Sequence, residues 1–469
     1  MKKIILILFL ITFQGLFAQS SKQEKTLDSI FTMMQRQNQF NGSVLIAEKG
    51  RIILKKGYGY SNEDTRSSNN PATVFELASC SKQFTAAAIM LLKRQGKLRF
   101  EDKLSKYIPE LDFWQDVTIY DMIKHTSGLP DYIMDMPKTW DNAIIATNND
   151  VIKFYAARKD TLEFAPGSIH QYNNTNYVLL ASIIEQVSGK SYADFLSENI
   201  FKPLKMKNTF VYSRRLHPQK LKNYAIGYTW AHNSFTKVTL DDPRHDDKMT
   251  YFLDGVAGSA KVNSTVEDLY KWITALKDNT FFSKSEFEEM TAVTKTSKGK
   301  DIPYGFGLDV SKGKDKFAFG HTGGWDGYMT FTYHDVVNDR TIITLQNFTM
   351  GASLFQNIME VLKGQPLTTE YRKKVPLPEA ALTKYTGTYI SEDKNEEHII
   401  TALDGHLIYN SKKLQWDMRF FPVSGNEFQG ARYGGTDGVM RFTPLEDGSV
   451  KLEMLQYGEI IGSGVKSHL

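Results

Sequence analysis

Three short clusters in this 469-residue chain carry residue types suited to acyl transfer. The first is Ser79-Cys80-Ser81-Lys82. Positions i and i+3 share a helix face, so Ser79 and Lys82 become neighbours where this stretch opens a helix. A neutral lysine amine can take the serine proton, and burial favours the neutral form. The positive end of the helix favours the oxyanion formed on attack. Ser-x-x-Lys occurs six times, from Ser79, Ser234, Ser297, Ser311, Ser391 and Ser463, and only the first opens a long apolar run. The second cluster is Tyr172-Asn173-Asn174. A phenol can relay a proton to a leaving group, and an asparagine amide can hold a substrate carbonyl; paired asparagines also start helices. The third is His321-Thr322-Gly323-Gly324, after the apolar run KFAF. Glycines there let a backbone approach closely and expose N–H groups, and they equally suit a turn between strands.

The elements that must hold these clusters are visible in the patterning. Two β-rich runs flank Glu48-Lys49-Gly50 and predict a hairpin over 40–62. SKQFTAAAIMLLKRQG is built of helix formers and stops at Gly96. Short helical patterns broken by Gly and Pro fill 97–165, and NYVLLASIIEQVSGK predicts a helix closing at Gly189. Ser264-Thr265-Val266-Glu267 reads as a capping box opening EDLYKWITAL. YGFGLDV, KFAFGHTGG, YMTFTYH and TIITLQN predict strands. KGQPLTTEYRKKVPLP, residues 363–378, has three prolines and reads as a linker. Beyond it, short β-like runs punctuated by Asp404-Gly405 and Asp447-Gly448 predict a small antiparallel barrel.

Taken together, the order and spacing of the three clusters, about 90 and then about 150 residues apart, resemble the serine penicillin-recognising family. Its motifs are Ser-x-x-Lys, Tyr-x-Asn and Lys/His-x-Gly. The branch most similar is that of class C β-lactamases, D,D-peptidases, D-aminopeptidases and related esterases. LASCSKQFTAAAIMLLKRQGKL, HTSGLPDY (125–132), NTNYVLLASIIEQVSGKSY and GHTGGWDGY carry the likeness, which covers roughly 25–365. The tail resembles the lipocalin-like barrel that follows the catalytic domain in some peptidases of this family.

The resemblance implies an α+β fold, an antiparallel sheet flanked by helices with a helical sub-domain, followed by the barrel. It implies Ser79 as the acylated nucleophile, Lys82 as general base or its partner, and Tyr172 sharing proton transfer. Which of Lys82 and Tyr172 is the acylation base stays open. Asn174, His321 and Gly323 would contact substrate, and the backbone N–H groups of Ser79 and Gly324 would form the oxyanion hole. His321 stands where β-lactamases carry lysine. Its ordinary pKa near 6.5 makes it mostly neutral at pH 7.5 and partly charged at pH 6, a poor partner for a terminal carboxylate. Cys80 reads as a small buried hydrophobe, and Tyr132 and Trp325 are candidate pocket walls. The expected organisation is a signal peptide over 1–18, a serine hydrolase domain over 19–365, a linker over 366–376 and a barrel over 377–469.

Composition narrows the remaining classes. A formal charge of +4 without a basic block argues against nucleic-acid binding. One cysteine excludes an intramolecular disulfide framework and a multi-cysteine metal site. The loop DDPRHDDK, residues 241–248, lacks EF-hand spacing and reads as solvated, and no dinucleotide or P-loop pattern appears. No cofactor and no metal are expected. MKKIILILFLITFQGLFA reads as a secretory signal peptide cleaved after Ala18, with no later membrane helix. The expectation is therefore an exported, periplasmic or secreted serine hydrolase without a membrane span. It would cleave small amide or peptide substrates, those containing D-residues foremost, through an acyl-enzyme. The alternatives are a carboxylesterase, a D,D-carboxypeptidase or β-lactamase, and, of a different kind, a slowly deacylating penicillin-binding or sensor protein. The oligomeric state is not encoded in any pattern found.

Overall fold

The hairpin expected at Glu48-Lys49-Gly50 forms in the computed structural model. Gly42–Glu48 pairs antiparallel with Arg51–Tyr58, and Lys49 and Gly50 take φ of +52° and +73°, the left-handed pair a two-residue hairpin turn needs. The structure describes residues 22–231, 236–245, 249–349, 354–367, 373–392, 395–411, 418–432, 435–456 and 458–467. The expected signal peptide, 1–18, lies outside them, as do 368–372 of the expected linker and 246–248 of the acidic loop.

The hairpin is half of a larger closure. Gly42–Glu48 also pairs with Arg340–Gln346, Leu45 opposite Ile343. The resulting six-stranded sheet runs Asp309–Gly313, Lys316–Trp325, Tyr328–Asp335, Arg340–Gln346, Gly42–Glu48, Arg51–Tyr58, antiparallel throughout. Val44, Leu45 and Ile46 are all buried, as a strand covered on both faces requires, and the helix Val266–Lys277 packs on the strands Arg340–Gln346 and Gly42–Glu48. The helices Lys82–Arg94 and Asn174–Ser188 pack on each other and bury most of their residues in the main core.

Two local expectations are corrected. The cap of Val266–Lys277 is Thr265, whose side chain accepts from Asp268 N. Ser264, expected to open the box, is instead the last residue of the strand Val262–Ser264, with its hydroxyl on Thr209 Oγ1 at 2.7 Å. YGFGLDV is a strand only from Asp309: Gly305 N bonds Leu308 O at 2.7 Å and Gly307 takes φ +66°, so the glycines make a tight loop. A Cβ at 307 would lie 2.4 Å from Lys82 O, so this loop presses on the backbone of the Ser79 helix.

The described chain gathers into two compact units, one comprising Gly42–Tyr228 and Thr239–Thr349, the other the described parts of Met1–Asn41, Thr229–Val238 and Met350–Leu469. The second contains a closed eight-stranded antiparallel barrel from Gly387–Ile390 to Glu459–Lys466, zipped shut where Tyr389 faces Lys466. Tyr389, Leu407, Phe420, Phe428 and Phe442 are part of its core. Among the described residues, no helix is long and apolar enough to cross a membrane.

In the first unit, a buried charge network joins three stretches of chain. Ligand oxygens of Glu76, Asp254 and Asp326 lie within 4.8 Å of one another. Lys261 Nζ fills their midst, 2.8 Å from Asp254 and 3.2 Å from Glu76, while Arg214 and Arg215 bind Asp326 and Asp241. Four carboxylates thus meet three cations, and burial, against the pull of Lys261, lifts the Glu76 carboxyl to about 7. Lys261→Met should leave buried acids unpaired and cost about 3–5 kcal/mol, read as a large drop in Tm. A carboxyl raised from 4.5 gives stability that is full below 4.5 and lost as pH rises through about 7. Glu76→Gln lacks that component, so the Tm of wild type minus that of the variant should fall between pH 5 and pH 8.

Candidate active site

Ser79 lies in a single 3₁₀ turn, Ala78–Ser81, that runs directly into the helix Lys82–Arg94. Ala78 takes φ +49°, a left-handed conformation that costs an alanine about 1 kcal/mol. Neighbouring segments hold it there. Leu77 N bonds Val262 O at 2.8 Å, Val262 N bonds Ser81 Oγ at 3.0 Å, and Thr330 Oγ1 donates to Leu77 O at 2.7 Å. The strand Lys316–Trp325 lies so close that a Cβ at Gly323 would sit 2.5 Å from Leu77 O and 3.1 Å from Ser79 N. Glycine at 323 is therefore required by the packing of strand on serine turn. Gly324, one residue on, lines the pocket above Ser79.

Lys82 Nζ is buried against three acceptors: Ser79 Oγ at 3.1 Å, Asn174 Oδ1 at 2.9 Å and Ser259 O at 3.0 Å. Burial, opposed by Asp131, lowers its pKa to about 7. A neutral amine has two N–H bonds and one lone pair. With its hydrogens on the two carbonyl oxygens, of Asn174 and Ser259, its lone pair can face the Ser79 hydroxyl.

Tyr172 lines the same pocket, its ring centroid 4.9 Å from Lys82 Nζ and 4.5 Å from the His125 ring. The residue is 41% exposed, yet desolvation of its phenol within the pocket raises it above the ordinary value, with Ser79 bonding partly offsetting it. At neutral pH it is a proton donor. The two asparagines divide their work. Asn173 is the helix cap, accepting from Asn176 N at 3.2 Å. Asn174 is thereby free to reach Lys82 through Oδ1 and Asp131 through Nδ2, the latter at 3.0 Å.

His321 is in the strand, opposite Thr332, rather than in a turn. Both ring nitrogens are engaged by the protein, Nε2 with Tyr304 Oη at 2.9 Å and Nδ1 with the Thr322 carbonyl. Burial lowers its pKa below the ordinary value, which works against the charging expected near pH 6. Cys80 is buried, its thiol on His321 O at 3.1 Å, and burial pushes it up to about 12, which leaves it unreactive.

The pocket's far wall is apolar, formed by Ile133, Leu253, Val256 and Trp325, with Tyr132 Oη on Ser259 Oγ at 3.2 Å. The candidate walls Tyr132 and Trp325 are thus both in place. Sequence reasoning did not single out Ser259, Asp131 or Tyr304. Ser259 acts through its carbonyl, which carries no side-chain signature, and Asp131 lies unmarked within HTSGLPDY.

The Beta-lactamase family model matches residues 27–378. The chain is 34% identical over 443 residues to "Penicillin-binding protein 4*" of Bacillus subtilis strain 168, covering 91% of this chain and 97% of that protein. Its fold is shared with an octameric penicillin-binding protein homologue from Pyrococcus abyssi, at 22% identity and TM-score 0.63, over 95% of this chain and 99% of that one. It is also shared with D-amino acid amidase from Ochrobactrum anthropi SV3, at 23% identity and TM-score 0.60, over 73% of this chain and 99% of that one. With a serine, a buried lysine, a tyrosine and an asparagine converging on one pocket, the chain belongs to the β-lactamase family of serine hydrolases, the family of the penicillin-binding proteins.

Proposed function

We propose that this protein is an exported serine hydrolase that cleaves amide or peptide bonds, those involving D-residues foremost, through an acyl-enzyme on Ser79. The observation that carries this reading is the buried Lys82 amine in contact with Ser79 Oγ. Lys82, neutral in part at pH 7, takes the Oγ proton as Oγ attacks the carbonyl. The N–H groups of Ser79 and Gly324 receive the developing oxyanion. Tyr172, held protonated, hands a proton to the departing amine and is then reprotonated from Lys82. Water attacks the acyl group by the same steps in reverse. In this reading Lys82 is the acylation base and Tyr172 the relay.

The pocket wall bears on substrate class. Four apolar residues line the pocket with Ser79, and the histidine of the third cluster has a lowered pKa and is capped by Tyr304 and Thr322. Such a surface favours an apolar residue presented as an amide over a substrate ending in a free carboxylate. This ranks the amidase or peptidase reading above the D,D-carboxypeptidase and β-lactamase readings.

Ser79→Ala should abolish both turnover and labelling by a fluorescent phosphonate while Tm stays near wild type. An adduct found by mass spectrometry on any other residue overturns the assignment. For an uncharged amide substrate, kcat/KM should rise with pH through about 7, because the protonated lysine cannot accept the Ser79 proton. Lys82→Ala and Tyr172→Phe should each lower turnover roughly 10²–10⁴-fold. The carboxylate's gain on the amide between pH 8 and pH 6 should be smaller than an imidazole of ordinary pKa would give; a gain of that full size would mean that burial does not hold down the charge on His321.

A further inference from the structure

We infer that Asp131 is a positioning residue for the serine chemistry: its carboxylate fixes the Asn174 amide so that Oδ1, and not Nδ2, faces Lys82. The inference rests on the reading above in which Lys82 accepts the Ser79 proton.

Asp131 caps the short helix Tyr132–Asp135, and for that it needs one oxygen: Oδ1 accepts from Ile133 N at 3.1 Å. Its other oxygen is turned away from the cap. Oδ2 accepts from both Asn174 N and Asn174 Nδ2, each at 3.0 Å. Three donors on one carboxyl suit the ionised form, which only accepts. The two ends of a primary amide have nearly the same shape, so an asparagine holds one orientation only when its partners impose it. Here Nδ2 is pinned to a carboxylate, which leaves Oδ1 directed at Lys82 Nζ, 2.9 Å away. A flipped amide would set donor against donor at Lys82 and acceptor against acceptor at Asp131.

The same arrangement tunes Lys82. Facing it are Asp131, Cys80 on the serine turn, the rings of Tyr172 and Tyr177, and the imidazoles of His125 and His321. Burial keeps both imidazoles neutral, and keeps the thiol and both phenols protonated. Burial raises the Asp131 carboxyl above its ordinary value while its bonds from Asn174 and Ile133 pull it back, so it is the one group among these neighbours whose hydrogen bonds suit a charge. It acts at one remove, with the Asn174 amide between the two charges. That distance leaves the amine partly neutral at pH 7, where direct contact would hold it as ammonium.

The test is the pH profile of kcat/KM on an uncharged amide substrate for Asp131→Asn and Asp131→Ser. Serine keeps a cap for Ile133 N and loses the arm to Asn174. Without the negative charge the Lys82 ammonium is less favoured, so the acidic limb should move roughly one unit to lower pH. With the amide released, the plateau kcat should fall roughly ten- to a hundredfold. KM should change little, since Asp131 is not among the pocket-lining residues. A loss of Tm with the limb and plateau in place would show a cap and nothing more, and would overturn the inference. So would failure of both variants to fold, which would make the carboxylate structural. Lys82→Ala separates this from the underlying reading. If that variant keeps the acidic limb, the limb never belonged to Lys82 and the reading itself fails. If it loses the limb while the Asp131 variants keep it, only the role of Asp131 falls.

Discussion

A lysine amine buried on the first turn of a helix must find acceptors for its hydrogens, and the choice of acceptors decides whether it is a base or a fixed cation. At Lys82 every direct partner is formally neutral: a hydroxyl, an amide and a backbone carbonyl. Burial then prevails and the amine titrates near neutrality. Lys261, equally buried, touches two carboxylates. There Glu76 and Asp254 outweigh burial and raise its pKa, so it remains an ammonium. The two lysines show how one residue type becomes a titratable amine or a fixed cation according to whether its neighbours carry only dipoles or charge.

The two are also connected along the chain. Lys261 follows the Ser259-Ala260 segment whose carbonyl holds Lys82, Glu76 precedes the serine turn by two residues, and Asp326 follows Trp325 of the pocket wall. The charge network therefore anchors three stretches that line the pocket. Backbone contacts finish the alignment: Leu77 and Val262, Val262 and Ser81, and the strand at Gly323 against the turn at Leu77–Ser79. A left-handed alanine before Ser79 persists because its neighbours on both sides leave the turn no other path.

What was legible in the sequence was local. The Lys49-Gly50 turn, the helices closing at Gly96 and Gly189, and the barrel hairpin at Asp404-Gly405 follow from turn chemistry and periodicity within a few residues. The three clusters were found because side-chain identity and spacing mark them, the barrel because short β-like runs and Asp-Gly turns mark it, and the family resemblance then supplied the fold of the remainder. What depends on tertiary surroundings was not legible. Thr265 rather than Ser264 caps its helix because Ser264 is already spent in a strand. The identity of His321 was readable but its burial under Tyr304 was not, and its charge state followed from the burial. The Ser259 carbonyl and the second oxygen of Asp131 act through geometry that no residue pattern encodes.

The sheet's closure has a consequence for how the chain reaches this state. Glu48 and Arg340, joined by a 2.6 Å ion pair at the end of adjacent strands, are 292 positions apart. Contacts of such separation slow folding, because the loop between them must close before they contribute anything. On a ribosome adding roughly 5–20 residues per second, the second partner emerges some 15–60 seconds after the first. During that interval Gly42–Glu48, apolar and lacking its inner neighbour Arg340–Gln346, presents an open strand edge of the kind that recruits other chains. Any truncation before residue 340 makes that interval permanent, and turns an inner strand of the sheet into an adhesive one.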